Sequence, residues 1–312
     1  VNPTHYLGIE IGGTKLQLGV GPDDGRLRAL WRGAVDVAAG PDGIRRQIAA
    51  AVPELLASAG LGRADLAGVG VGFGGPVDDA TRTVIKSHQI AGWDDFPLGD
   101  WVSDVVGVPA ALGNDADVAG LAEALHGAGK GLSPVFYMTI GSGIGGGLVI
   151  DGEIYRGVGK GAAEVGHLRL DAGHGRSPRT LEDVASGWAI EHCYRRWRGS
   201  DAAVKVPEIA ALAREGDEDA VGVLSRAIGA LAEALGHVIA LLCPRRIVIG
   251  GGVSLLGEEQ LFEPLRRRVA ETVFRPFAGL TDIVPAALGE AVVVHGAVAL
   301  ARQRLGPGQH RR

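Results

Sequence analysis

Cysteine is scarce in this chain: Cys193 and Cys243 are its two, and they lie far apart. Such a pair argues against a disulfide framework and against a cysteine-built zinc cluster within one chain. No run of about 18 apolar residues occurs, so no membrane span is expected. Basic charge is not in excess either. A net charge of −5 offers no footing for nucleic acid as a partner. The short basic tail over 302–312, interrupted by Gly306-Pro307-Gly308, reads as a frayed terminus rather than a binding arm. The first apolar run alternates and meets glycine at once, unlike a signal peptide, which makes the cytoplasm the expected location. A P-loop is excluded because no G-x-x-x-x-G-K-[ST] is present.

What the chain does have is glycine in two matching places. Residues 6–20 read YLGIEIGGTKLQLGV, and 136–150 read FYMTIGSGIGGGLVI. Each is an apolar strand, a turn of small residues and a second apolar strand. A glycine turn presents backbone N–H groups with no Cβ in the way, which suits phosphate. Two such turns imply two lobes gripping one polyphosphate. The 312 residues, 46% apolar and 21% charged, fit a globular protein of about two domains with a sizeable core.

Between and beyond the hairpins, strands alternate with helices. A strand is expected over 27–37 and a helix over 43–59, with Pro53 kinking or breaking it. Short strands at 67–73 and 109–113 end at Gly74-Gly75-Pro76 and Asn114-Asp115, and a helix over 116–126 follows. The second half carries helices over 181–197 and 217–242, the latter with a core-facing stripe from Val221 to Leu242. A strand at 246–249 delivers Gly250-Gly251-Gly252. The pattern is an α/β protein of two similar lobes sharing a cleft.

The run at 141–146 satisfies G-x-G-x-x-G, but a dinucleotide fingerprint needs a helix next, and Leu148-Val149-Ile150 continue as strand. Asn114-Asp115 at a strand end suits a helix N-cap, and a carboxylate at the C-terminal end of a strand is also placed for a general base. Glu164 and His167, three apart, share a face on a helical turn. As a metal pair they are incomplete; with Glu182 they offer donors and acceptors to a polyhydroxylated ligand. Trp93 fits either a cleft aromatic or a core anchor.

This combination resembles the ROK family (repressor, open reading frame, kinase), and within it the bacterial glucokinases, nearly end to end. IEIGGTK at 9–15 is similar to the family's first phosphate motif, and NDADVAGLAE at 114–123 to its catalytic segment. The 139–157 stretch is similar to the second phosphate motif, and EVGH at 164–167 matches the E-x-G-H sugar motif. Glu182 with Ala185-Ser-Gly187, and IGGGV at 249–253, match the segments that follow. The resemblance implies an actin-like ATPase (ribonuclease H-like) fold. Its small lobe is expected over 1–115, a C-terminal helix at about 290–304 packs back on it, and its large lobe spans 116–289. It implies an ATP-dependent hexose kinase acting on the 6-hydroxyl of glucose, with Asp115 as general base. Gly75, Asn114, Asp115, Glu164, His167 and Glu182 would hold the sugar. Gly12, Gly13, Thr14, Lys15, Gly141, Ser142, Gly143, Gly145, Gly251 and Gly252 would hold the nucleotide. Mg2+ would bridge the phosphates, and a homodimer or homotetramer is the expected assembly.

Three departures qualify the resemblance. Glu10 stands where the family has Asp near the metal's water shell. The family's C-x-C-G-x-x-G-C run between the E-x-G-H histidine and the next glutamate is absent, so no structural zinc is expected. Gln89 replaces the usual Asn before Gly92-Trp93, which leaves fructose, mannose, allose and N-acetylmannosamine open as substrates. A non-catalytic sugar-binding protein is the remaining alternative, and the retained Asn114-Asp115 opposes it. A DNA-binding repressor is disfavoured because the chain starts just before the first phosphate hairpin.

Overall fold

The computed structural model describes residues 4–22, 24–87, 90–159, 161–170, 179–199 and 202–306. Gln89, the 171–178 part of the loop expected to lack zinc, and the end of the basic tail lie outside the described residues. The chain forms two compact units. The first comprises 1–131, 152–162 and 288–312; the second comprises 132–151 and 163–287.

The first unit is built on five strands in the order Ala29–Ala34, Lys15–Gly21, His5–Ile11, Leu66–Phe73, Ala110–Asn114. The first three pair antiparallel and the last two add in parallel. The strand Leu66–Phe73 alternates glycine with apolar residues, so its two faces differ sharply. Val69, Val71 and Phe73 point into a core shared with Ile44, Ile48, Val52 and Leu55 of the helix Gly40–Ala59. Each such buried side chain is worth about 1.5–3 kcal/mol.

The opposite face is bare, and the final helix, Val292–Leu305, lies directly on it. A Cβ at Gly70 would collide with the Ala297 carbonyl, and one at Gly8 with the Val294 carbonyl. On its other side that helix meets Asp115–His126, where Gly296 leaves room for the Val118 carbonyl. This packing draws Asp115–His126 into the first unit, whose first stretch ends at 131 and not at the expected 115.

Pro53 does not end its helix: Gly40–Ala59 runs through it with the ring exposed, and stops at Gly60 in the left-handed conformation (φ 64°). The expected 27–37 strand is shorter, Ala29–Ala34. Trp93 is a core anchor, fully buried and edge-on to both Phe73 and Phe96.

In the second unit the strands run Ile144–Ile150, Val135–Ile140, Arg246–Gly250, Asp282–Pro285, the hairpin antiparallel and the rest parallel. The helix Glu218–Leu242 starts at Asp217, whose carboxylate accepts from Ala220 N–H. Leu224, Ile228, Leu231, Leu235 and Val238 are buried as the stripe requires, but its ends are not: Val221 is 48% and Leu242 39% exposed. By length and composition this helix could cross a membrane; 61% of its apolar window is buried within the protein, as in a core helix. The helix expected over 181–197 is two, Glu182–Ala185 and Gly187–Arg198. The break has a cause: Gly187 N–H donates to the Gly141 carbonyl, leaving Ser186 extended and free to cap Ala189 N–H.

Candidate active site

The expected site residues fall into two clusters, one in each unit. In the first, Gly12 N–H donates to Lys15 O and closes the turn (3.0 Å). Among the described residues the N–H groups of Gly13 and Thr14 make no internal hydrogen bond, so the turn keeps two donors open. Gly74 N–H donates to the Ile11 carbonyl, and this brings the Gly74-Gly75 turn beside the first hairpin.

Asn114 ends its strand and caps the next helix: its Oδ1 accepts from Ala116 and Asp117 N–H while its Nδ2 donates to the Gly75 carbonyl. The amide is therefore spent on positioning, and the helix N-cap reading of this dipeptide holds for Asn114. Asp115 is the first residue of the helix and partly exposed. Its Oδ1 accepts from Ala116 N–H, and its Oδ2 lies against the Gly74 turn, 3.4 Å from where a Gly74 Cβ would be.

Two residues from Asp115, buried Asp117 accepts from Arg156 Nη1 at 2.6 Å, and Arg156 Nε lies 3.2 Å from Asp79. Sequence reasoning missed Arg156, and the 39-residue separation from Asp117 hides it.

Glu10 is 5% exposed. Its Oε1 pairs with Lys15 Nζ at 3.0 Å and its Oε2 accepts from Gln17 Nε2 at 2.8 Å. Burial raises its pKa, Lys15 and Gln17 oppose that, and Glu290 adds to it. A buried carboxylate with both oxygens engaged does not fit the water shell of the Mg2+ that the resemblance implies. Among the described residues no group of three acidic, histidine or cysteine side chains could hold a metal.

In the second unit, the 141–145 turn is braced from three sides. Gly141 N–H donates to Gly143 O, Gly187 N–H to Gly141 O, and Glu182 Oε2 accepts from Ile144 N–H at 2.7 Å. Ser142 and Gly143 N–H remain open among the described residues. Gly251, at φ 85°, approaches so closely that a Cβ would lie 2.6 Å from the Ile140 carbonyl. Gly252 opens the short helical turn Gly252–Leu256.

The E-x-G-H segment packs on the same hairpin by reciprocal glycines: Gly166 leaves room for the Ile144 carbonyl, and Gly146 for the Ala163 carbonyl. Glu164 precedes the single turn Val165–His167. Its carboxylate is exposed and makes no hydrogen bond or ion pair among the described residues. His167 is exposed too, and its charge helps lower the pKa of Asp183, whose main cause is the hydrogen bond from Thr180. The first cluster thus joins Gly12, Gly13, Thr14, Lys15, Gly75, Asn114 and Asp115. The second joins Gly141, Ser142, Gly143, Gly145, Glu164, His167, Glu182, Gly251 and Gly252.

Known proteins resemble this chain over nearly its whole length. A glucokinase of Thermotoga maritima is 31% identical over 96% of this chain and 98% of its own. A ROK family glucokinase from Streptomyces griseus, solved in complex with glucose and AMPPNP, superposes with a TM-score of 0.81 at 31% identity, covering 96% of this chain and 99% of that one. A ROK hexokinase from Thermus thermophilus superposes at 0.83 with 28% identity, over 97% and 100% of the two chains. The ROK family pattern matches residues 6–304, and the chain belongs to the ROK family.

Proposed function

We propose that the protein is an ATP-dependent hexose kinase that phosphorylates the 6-hydroxyl of glucose, with Asp115 as general base. The observation that carries this reading is the Asn114-Asp115 junction. Asn114 fixes the helix start, and the partly exposed Asp115 carboxylate faces the Gly74 turn next to the first glycine hairpin. The full-length similarity to glucokinases, and to a homologue solved with glucose and AMPPNP, supports the substrate pair.

In this reading Asp115 takes the proton as the sugar oxygen bonds to the terminal phosphorus and the bond to ADP breaks. Phosphoryl transfer to an alcohol asks little more of a protein than position and charge. The open N–H groups of Gly13, Thr14, Ser142 and Gly143 would face phosphate oxygens, with Lys15, Gly12, Gly141 and Gly145 beside them. Gly251 and Gly252 would meet the adenosine. The exposed Glu164 carboxylate, His167, Gly75 and the remaining Glu182 oxygen would take sugar hydroxyls, since these groups combine acceptors with a donor.

Two measurements test the reading. ADP release across a panel of hexoses should be fastest with glucose, and no turnover with any of them rejects a kinase. Asp115→Asn should lower kcat by about 10²–10⁴-fold while glucose binding persists; a loss under about tenfold rejects the base.

A further inference from the structure

Glu10 is a buried carboxylate that the phosphoryl-transfer reading leaves unused, and its contacts form a chain. In the paired strands Glu10 lies opposite Gln17, and Gln17 opposite Arg32. Gln17 Nε2 donates to Glu10 Oε2 and to the Glu290 carbonyl, so its Oε1 must face the other way, where it accepts from Arg32 Nε at 2.9 Å. The acceptor on Glu10 therefore sets the amide orientation, and the amide sets the guanidinium. Lys15, diagonal to Glu10 across the hairpin, gives one proton to Glu10 and another to the Glu290 carbonyl. Its third remains. Long side chains span such diagonal positions, and a shorter one does not.

Lys15, Gln17, Arg32, Gly33, Ala34 and Glu290 line a cavity of about 280 Å³ that starts one residue beyond the 12–14 turn. The Lys15 charge is balanced by Glu10. Arg32 makes no ion pair among the described residues, and the Glu290 carboxylate nearby is exposed.

We propose that Glu10 is a positioning residue, not a metal-shell ligand: it aims the Lys15 ammonium directly, and the Arg32 guanidinium through Gln17, at nucleotide phosphate oxygens entering this cavity. The proposal rests on the 12–14 turn being a phosphate turn. It also accounts for the residue type. The extra methylene of Glu over Asp lets one carboxylate reach both Lys15 and Gln17.

The test is AMPPNP binding by calorimetry, with Mg2+ and again in EDTA, for the whole protein and its variants. Glu10→Asp keeps the charge and shortens the reach. It should weaken binding about tenfold, by the same factor in both buffers; the loss should shrink in a Lys15→Met background and vanish when Lys15→Met and Arg32→Met are combined. A metal-shell role predicts the reverse: Asp, the family's residue, binds as well or better with Mg2+ and leaves EDTA binding unchanged. That result overturns the proposal. Arg32→Met, on an exposed side chain, should weaken binding several-fold in both buffers. It serves as the decisive variant if Glu10→Asp melts below assay temperature, and unchanged binding then overturns the proposal. A wild-type protein that binds no AMPPNP refutes the kinase reading itself. Tight wild-type binding indifferent to Lys15→Met refutes the positioning role alone.

Discussion

Gly166 is glycine because the carbonyl of Ile144 occupies the space a side chain would need. Gly166→Ala should therefore force the E-x-G-H segment off the second hairpin. A cost of about 1–3 kcal/mol, typical of overpacking, is expected in urea unfolding, together with a raised KM for sugar. His295 makes a different kind of prediction. Burial lowers its pKa below the ordinary 6.5, and the neighbouring His126 lowers it further. The unfolded imidazole then binds a proton more readily than the folded one, so stability rises with pH up to about 6.5 and falls below it. Unfolding at pH 5 and pH 7.5 should show this slope, and His295→Asn should flatten it. At this scale the sequence was legible where one residue type has few uses. Glycine at a strand turn and Asn-Asp at a strand end could be read directly. The partners of Glu10 could not, because Glu290 lies at the far end of the chain and the Gln17–Arg32 contact depends on strand register.

Helices and strands follow their patterns except where a tertiary contact overrules them. The helix expected over 181–197 splits because Gly187 N–H is needed by Gly141, a demand invisible in the local sequence. Ser186→Ala removes the cap on Ala189 and should cost about 1 kcal/mol, readable as a lower urea midpoint with an unchanged slope. The strand Leu66–Phe73 shows the converse. Its glycine spacing was plain, but the meaning of the spacing was not, because an empty face says nothing about which helix fills it. Gly70→Ala, on the strand beneath the final helix, and Gly296→Ala, where that helix meets Asp115–His126, should each destabilise by about 1–3 kcal/mol or more. Controls at open glycines such as Gly236, where a Cβ meets nothing, should be neutral or stabilising.

Across the whole molecule, ligand and metal responses separate the readings. Saturating glucose or AMPPNP at about 100 times its Kd should stabilise the protein by about 2.7 kcal/mol, seen as a raised melting temperature. A chelator should leave the melting temperature of the ligand-free protein unchanged, and metal analysis should find no stoichiometric zinc, because Cys193 and Cys243 are free and no cluster among the described residues replaces the family's cysteines. The two-lobed α/β character could be read from the paired hairpins. The partition of the chain could not, since it depends on the Asp115–His126 helix packing against a segment more than a hundred residues later.

That partition has a consequence for synthesis. The strands of the first unit all precede residue 115, yet its bare glycine face is covered by Val292–Leu305, a segment made after the strands of both units. The second unit, ending at 287, has all its strands before that helix emerges. During translation the earliest sheet therefore waits open-faced for the final helix, while the later unit is free to fold ahead of it. Stalled chains ending near 290 should show a protease-resistant second unit and a digestible first one, reversing the order in which the two were made.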